Sequence, residues 1–536
     1  TVTLATGGDI TGTTTMALST DVLNLHDTAI GIVAGSGTIN SAQDLTTGAT
    51  ITGTNLNVTD NILTLGANVT ATTTTITAGA TLDAATGDDV IDGAVVNNGT
   101  LALDANEVTG IITGTGVITM ADDYTVAANI TTATLTFADG KTLLVGGNTI
   151  TGDITNNGTV TLATGGDITG TTTMALSTDV LNLHDTSIGI VAGTGTINST
   201  QSFSQAAALN ATTLNVDTGV LTLTAAGAHT IATTVIDDGA TLATTGGGAT
   251  VLTGDVTNNG TLTLATGDDI TGTTTMADTA DVLNLHDTAI GIVAGTGTIN
   301  SGQNLTTTAT MGSTTLNVTG NTLSLGATAT TVALNTTSGA TLNTNQYKVS
   351  TTGAVALNGV AVWQLDINGT TTAGTDYGQI ANSGTVAIAD AATFTITPSI
   401  NNGIASGSAI KIIDTAGGEN DLTYTSGSIS DITVTDTSKV LDYALSEASE
   451  DLILTVSTAS TASMGVNSRH TNSVSNAVTA LSDNNDDTAW DALVSLSTSA
   501  ALENAAEQMQ SDAGAGSAAA AAGASAVAGV VGGRQS

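Results

Sequence analysis

Short segments in which apolar and polar residues alternate follow one another along most of the chain. In "TLTL" and "TVTL", threonine alternates with leucine or valine, the period of two expected of a half-buried β-strand. Turns of the Asn-Gly type precede such segments in "NNGTLAL" at 97–103, "NNGTVTL" at 156–162 and "NNGTLTL" at 258–264. These turns and their relatives recur about every 17–24 residues. The pattern predicts many short strands joined by tight turns.

A much longer repeat contains these segments. The stretch "TVTLATGGDITGTTTMALSTDVLNLHDT" at 1–28 recurs at 159–186 and, with small changes, at 261–288, so the copies are 158 and 102 residues apart. Solenoids tolerate the gain or loss of whole units because each unit contacts only its neighbours. A coil of about 20 residues with two or three strands predicts an all-β fold, a parallel β-helix (β-solenoid). A Greek-key sandwich is the alternative, but it does not explain insertion by whole units.

The pattern divides the chain into three regions. Residues 1–360 form the repetitive β-solenoid, for which about 20 residues per coil predicts some 18 coils. Residues 361–457 are richer in large side chains and predict a C-terminal β cap, with a strand pair at 441–460. Residues 458–536 predict a linker and a helical segment, because apolar residues there recur at intervals of three and four positions. The apolar run at 513–533 consists mainly of alanine, glycine and serine, too weakly hydrophobic for a membrane span.

Composition narrows the possible partners. The chain carries 46 acidic and 6 basic residues, a net charge of −40. Such a surface repels nucleic acid and anionic membranes, which both require basic patches. There is no cysteine, which excludes disulfides, and there is one proline. The scarcity of proline suits stacked strands, since every coil donates hydrogen bonds to its neighbours.

The C-terminal regions resemble a known family. The run "GTDYGQIANSGTVAIADAATFTITPSINNGIASGSAIKIIDT" is similar to the segment that closes the β-helix of autotransporter (type V secretion) passenger domains of Gram-negative bacteria. The segments "NAVTAL", "LVSLS" and "AALENAAEQM" resemble the stretch that leads into the outer-membrane barrel of these proteins. The resemblance covers about 363–536, whereas residues 1–360 resemble passenger β-helices only generically.

The resemblance carries several expectations. It implies a right-handed β-helix, export through an outer-membrane barrel that belongs to the full-length precursor, and a location outside the cell or on its surface. It transfers no catalytic residue, because passengers of this family share a scaffold and differ in activity.

Three His-Asp pairs recur within the long repeat: His26–Asp27, His184–Asp185 and His286–Asp287. In a solenoid with about 20 residues per coil, separations of 158 and 102 residues place these histidines many coils apart. They cannot share one metal ion, and each pair alone lacks the further ligands that zinc requires. We interpret the pair as a corner of the coil.

Calcium is the one cofactor that the sequence raises. The segment "TGDDVIDGA" at 86–94 resembles half of a glycine/aspartate calcium repeat, with Asp88, Asp89 and Asp92 as candidate ligands. Such repeats bind calcium when they occur in tandem, and this segment occurs once. We therefore expect no cofactor, with calcium as the open alternative.

Catalysis finds little support in the residues. A β-helix enzyme acting on polysaccharides usually needs clustered carboxylates and a basic residue. Residues 1–360 contain only two basic side chains, Lys141 and Lys348, and no nucleophile elbow or phosphate-binding loop.

The function predicted is that of a non-catalytic, cell-surface or secreted β-helical rod with a structural or adhesive role. Its partners would be sister rods or the glycans and proteins of host or matrix surfaces. Two alternatives stay open. One is a filament that assembles head-to-tail through uncapped solenoid ends. The other is a polysaccharide-active β-helix enzyme.

Overall fold

A computed structural model describes residues 1–26, 30–85, 89–105, 108–186, 188–224, 228–246, 250–286, 290–400, 406–416, 418, 420–435, 438–482 and 488–511. It is all-β, with 50% strand and 6% helix, and its parallel strands stack in about 18 coils. The predicted parallel β-solenoid is therefore confirmed. The coils belong to two compact units, Thr1–Gly272 and Thr273–Ser536.

Rows of buried aliphatic side chains form the core of the first unit. One row joins Leu63, Leu82, Leu101 and Ile118, which pair coil on coil and are all fully buried. Partners in this unit are 16–22 residues apart, close to the predicted 20. Each buried leucine or isoleucine contributes roughly 1.5–3 kcal/mol relative to an exposed one, so the stack is held by apolar burial along its whole length.

The strands are two to eight residues long and follow the alternation of the sequence. In the strand Val180–Leu183, "VLNL", the two leucines are buried while Val180 and Asn182 face outward. Parallel pairing with Thr196–Ser199 keeps this orientation from coil to coil, because Leu181 lies opposite Ile197 and Asn182 opposite Asn198. Outward positions therefore stack in rows just as inward ones do.

A glycine of the long repeat fits where two coils come close together. Gly193 ends the strand Val191–Gly193 with a φ of 134°, and a Cβ placed on it would lie 1.8 Å from the carbonyl oxygen of Met174 in the preceding coil. Gly35 and Gly295 repeat this approach in the other two copies, against Met16 and Met276. The "VAG" of the repeat thus encodes a contact that admits no side chain.

The second unit contains coils of two lengths. Partners are 16–21 residues apart as far as the pairing of Asn343 with Gln364. From the pairing of Lys348 with Gln379 onward they are 31–38 residues apart. The longer coils lie mainly in the region predicted as a β cap, although the boundaries at 360 and 457 remain predictions.

Antiparallel strands follow the last parallel coils. The strand Leu441–Ala448 pairs with Asp451–Thr458, which confirms the predicted strand pair. Asp451–Thr458 also pairs antiparallel with Ser408–Asp414, and this joins the hairpin to the solenoid.

Three helices come last among the described residues: α1 (Thr471–Ser482), α2 (Thr488–Val494) and α3 (Ser499–Ser511). They lie within residues 458–536, the region whose apolar spacing predicts a helical segment. Trp490 and Leu493 of α2 and Leu502 of α3 are buried. Within the described part of the chain, no helix is long and apolar enough to cross a membrane. The segment 513–533 lies outside the described residues.

Candidate binding surface

Outward-facing asparagines form a hydrogen-bonded ladder along the first unit. Asn57 donates from Nδ2 to Oδ1 of Asn40 at 2.8 Å, and Asn40 donates in the same way to Asn24 at 2.8 Å. Asn24 in turn donates to Oγ1 of Thr3 at 3.0 Å. The asparagine positions of "VLNL", "TINS" and "NLNV" thus become one column of amides on the outer surface.

The same ladder forms twice more, once in each unit. We call the three ladders, each together with the outward row that lies two positions earlier on its strands, the ladder faces. The second ladder runs through Thr161, Asn182, Asn198 and Asn215, and the third through Asn284, Asn300, Asn317 and Asn335. Beside each ladder, two positions earlier on every strand, lies a second outward row: Val22, Thr38, Asn55, Thr73; Val180, Thr196, Thr213; Val282, Thr298, Thr315.

None of these residues is ionisable, although the chain has a net charge of −40. On another outer face of the first unit, aspartates do occur in the equivalent rows. Asp83 pairs with Ala102 there, and Asp153 pairs with Thr134. The three ladder faces are therefore neutral strips on a strongly acidic protein.

The ladder faces present a regular array of hydrogen-bonding groups. In the middle of their ladders, Asn40 and Asn198 each use one N–H and one side of the amide oxygen within the column, so a second N–H and a second lone pair can bind a ligand. Rows repeat at about 4.8 Å between coils and at about 6.6 Å between outward residues of one strand. The side chains are half-buried, and their mutual hydrogen bonds restrict their rotamers. Such a surface is ordered before any ligand arrives.

The "NNG" motif has a structural role that the sequence did not reveal. Its first asparagine points inward and is buried, as at Asn156. Oδ1 of Asn156 accepts from the amide nitrogen of Gly158 at 3.0 Å, and Nδ2 donates to the carbonyl of Val180 in the next coil at 2.9 Å. Asn97 makes the corresponding bonds with Gly99 and Val117. The motif joins a turn to the coil above it.

The structure places one His-Asp pair fully among its described residues. Nδ1 of His184 lies 3.5 Å from Oδ1 of Asp185, at the turn that follows the strand Val180–Leu183. The carboxylate of Asp185 accepts from the amide nitrogen of Gly165 in the preceding coil at 3.0 Å, and this hydrogen bond lowers the pKa of Asp185. Asp27 and Asp287 lie outside the described residues. The described pair sits at a corner and holds two coils together.

The calcium candidates are only partly described. Asp88 lies outside the described residues, and Asp89 is half-buried next to the strand Ile91–Asn97. Asp92 accepts a hydrogen bond from Oγ1 of Thr109 at 2.8 Å. Across the described ranges, no group of three or more His, Asp or Glu side chains is arranged to hold a metal ion. A calcium site at Asp88, Asp89 and Asp92 stays a prediction.

Lys141 and Lys411 take part in ion pairs. Nζ of Lys141 lies 2.6 Å from Asp122 on the surface. Nζ of Lys411 lies 3.0 Å from Oδ1 of Asp414 and 2.7 Å from Oδ2 of Asp451, which connects the hairpin to the coil beneath it.

Comparison with known proteins adds no relative. No protein-family model matches the chain, and a search of curated proteins found no match. The resemblance to autotransporter passengers therefore remains a prediction from the sequence.

Proposed function

We propose that the protein is a non-catalytic, extracellular β-solenoid scaffold of the autotransporter-passenger kind, which adheres through its ladder faces to neutral polysaccharide at a cell or matrix surface. The observation that carries the proposal is the neutrality of these faces on a chain with a net charge of −40. The chain has 46 acidic residues, and removing water from a carboxylate costs free energy. A neutral partner that binds to an uncharged face does not incur this cost.

The chemistry of the faces favours a hydroxyl-rich partner. Amides and hydroxyls both donate and accept, as do sugar hydroxyls, so either side can satisfy the other. Anionic polysaccharides would be repelled by the acidic turns that flank the faces. Because one sugar makes few contacts, affinity would come from many weak contacts along successive coils.

Binding to thin polysaccharide films tests the proposal. The purified chain is passed over films of an uncharged polysaccharide and of a sulfated or carboxylated one, and the adsorbed mass is recorded at low and high salt. The proposal predicts retention on the uncharged film that changes little with salt, and little retention on the charged film until salt screens the repulsion. Equal binding to both films, or none to the uncharged film, would contradict it.

The same films test the non-catalytic part of the proposal. Prolonged incubation should release no soluble oligosaccharide from either film, as measured by reducing-end analysis. Release of oligosaccharide products would instead support a polysaccharide-active enzyme.

A further inference from the structure

The tight stacking of coils makes glycine necessary at the third position of the "NNG" motifs at 97–99, 156–158 and 258–260. A Cβ on Gly158 would lie 2.2 Å from the carbonyl oxygen of Lys141 in the preceding coil. On Gly99 it would lie 2.3 Å from that of Ala80, and on Gly260 2.3 Å from that of Ala240. Because no other residue fits, each motif contains an Asn-Gly bond: Asn98–Gly99, Asn157–Gly158 and Asn259–Gly260. A fourth "NNG", at 401–403, lies outside the described residues.

An Asn-Gly bond is chemically fragile. The backbone nitrogen of the glycine can lose its proton and attack Cγ of the asparagine, forming a new C–N bond while the Cγ–Nδ2 bond breaks and ammonia leaves. Water then opens the resulting succinimide to an aspartyl or an isoaspartyl residue. The reaction requires a glycine nitrogen that is free to give up its proton and an asparagine side chain that is free to turn toward it.

Both requirements are opposed in the folded chain. The N–H of each glycine donates a hydrogen bond to Oδ1 of the inward asparagine. The distances are 3.0 Å from Gly158 to Asn156, 3.1 Å from Gly99 to Asn97 and 3.3 Å from Gly260 to Asn258. All three inward asparagines are buried, so water does not compete for the bond.

The second asparagine is also restrained, but to a different degree in each copy. Nδ2 of Asn157 donates to the carbonyl of Phe137 at 3.0 Å. Oδ1 of Asn98 accepts two longer bonds from Thr115, one from the amide nitrogen at 3.3 Å and one from Oγ1 at 3.4 Å. Among the described residues, none forms a hydrogen bond with the side chain of Asn259.

We propose that the inward asparagine of each of these three motifs protects the adjoining Asn-Gly bond from deamidation, and that Asn259 is the modification site where protection is weakest. The order of native deamidation rates is Asn259, then Asn98, then Asn157. The protection is specific to the motif, because the Asn-Gly bonds at 358–359 and 368–369 follow apolar residues, Leu357 and Ile367, which offer no side-chain acceptor. Deamidation at Asn259 would add a negative charge at a corner and, as isoaspartate, lengthen the backbone between stacked coils.

Peptide mapping by mass spectrometry tests the order in the wild-type chain. The folded protein and the same protein in urea are incubated in mildly alkaline buffer, and conversion at Asn98, Asn157 and Asn259 is followed in time. The expected result is similar rates in urea but, in the folded protein, slowing that is greatest at Asn157 and least at Asn259. Native rates equal to the urea rates, or the reverse order, would overturn the proposal.

Two substitutions at one position separate the protecting bond from general stability. Asn156→Ala removes the acceptor for Gly158 and should accelerate conversion at Asn157 on the order of tenfold, the factor expected for one lost hydrogen bond. Asn156→Asp keeps an acceptor and should leave the rate near that of the wild type, although both variants lose the donor to Val180. Equal acceleration in both variants, or none in Asn156→Ala, would contradict the role of the acceptor.

An internal reference shows whether each variant is folded. Conversion at Asn98 in the same molecules should keep its native rate. If conversion at Asn98 in Asn156→Ala is as fast as in urea, that variant is unfolded. The proposal is then tested by the wild-type protein alone, through the ratio of the native rate to the urea rate at each asparagine.

Discussion

Single backbone contacts between coils set the strictest requirements on this sequence. At Gly193 a positive φ coincides with a close approach, since a Cβ on this residue would lie 1.8 Å from the carbonyl oxygen of Met174. Gly35 and Gly295 repeat this combination in the other two copies. By contrast, Gly165 has a φ of 79° and open space where a Cβ would lie, and Gly12 has open space and no positive φ. The repeat therefore contains glycines with three different degrees of constraint.

These differences predict graded effects of substitution by alanine. Gly193→Ala should lower the free energy of unfolding by about 2–4 kcal/mol, because it adds a clash to an unfavourable φ. Gly165→Ala should cost about 1–2 kcal/mol for its backbone conformation alone. Gly12→Ala should be close to neutral. Urea midpoints measured for the three variants check the order, and a Gly193→Ala protein as stable as Gly12→Ala would contradict the close approach of the coils.

A buried histidine makes stability depend on pH. His229 is fully buried, and burial lowers its pKa below the ordinary 6.5. Its Nδ1 accepts from the amide nitrogen of Leu209 at 3.2 Å, and Nε2 lies 3.1 Å from the carbonyl of Thr224, which it can reach as a donor. Only the neutral ring satisfies both bonds, because a proton on Nδ1 would oppose the donor at Leu209.

The sign of the pH effect follows from the lowered pKa. The unfolded chain binds a proton at His229 below about pH 6.5, whereas the folded chain does so only at lower pH, so stability falls as pH drops through this window. Glutamine provides one acceptor and one donor and does not titrate. We expect His229→Gln to reduce the loss in urea midpoint between about pH 7.5 and about pH 5.5. An unchanged pH dependence in this variant would show that His229 does not carry the effect.

At the scale of elements, the C-terminal hairpin depends on one lysine. Lys411 lies on the strand Ser408–Asp414, and its pKa is raised by hydrogen bonds to Asp451 and Asp414. Asp451 opens the strand Asp451–Thr458, is buried, and also accepts from the amide nitrogen of Thr415 at 2.8 Å. The ion pair thus fixes the start of the strand that joins the hairpin to the solenoid.

Loss of this lysine should loosen the hairpin. Lys411→Met keeps the aliphatic stem but leaves the carboxylate of Asp451 without its cation, and we expect a loss of about 1 kcal/mol, since the lysine is partly exposed to solvent. Hydrogen exchange of the amides in 451–458 should report faster opening. The matched control is Lys141→Met, whose partner Asp122 is on the surface, and little change in stability is expected there. Similar effects of both substitutions would contradict the structural role of Lys411.

Elements that depend on local pattern could be predicted from the sequence. The alternation of apolar and polar residues predicted the strands, and the distances between repeat copies predicted the coils. Apolar residues three and four positions apart predicted the helical region that contains α1, α2 and α3. The longer coils that begin at Lys348 could not be predicted, because turns can be recognised in the sequence but the partner of each strand cannot.

The candidate surface was missed for a related reason. Asn24, Asn40 and Asn57 are 16 and 17 residues apart, and only the register shows that they share a column. A search for the same polar residue at successive coil spacings would have found all three ladders. The inward position of Asn156 was missed because an asparagine before Asn-Gly was interpreted as part of the turn. Calcium binding, secretion and adhesion remain predictions.

At the scale of the whole molecule, charge is distributed unevenly over the surface. The chain has only 6 basic residues to offset 46 acidic ones, yet the ladder faces carry none of these charges. A general acidic surface maintains solubility through self-repulsion. On such a surface, an uncharged partner would adhere only at the neutral ladder faces. This is the basis of the proposed function.

The most direct test places charges on one ladder face. Thr196→Asp with Thr213→Asp puts two carboxylates on the second ladder face, and Thr100→Asp with Thr119→Asp puts two on the face of the same unit that already contains Asp83 and Asp153. Retention of both double variants on an uncharged polysaccharide film is compared with that of the wild type. We predict a loss of about tenfold or more for the ladder-face variant, because its carboxylates would be desolvated on binding, and none for the other. Equal retention of the two variants would contradict adhesion through the ladder faces.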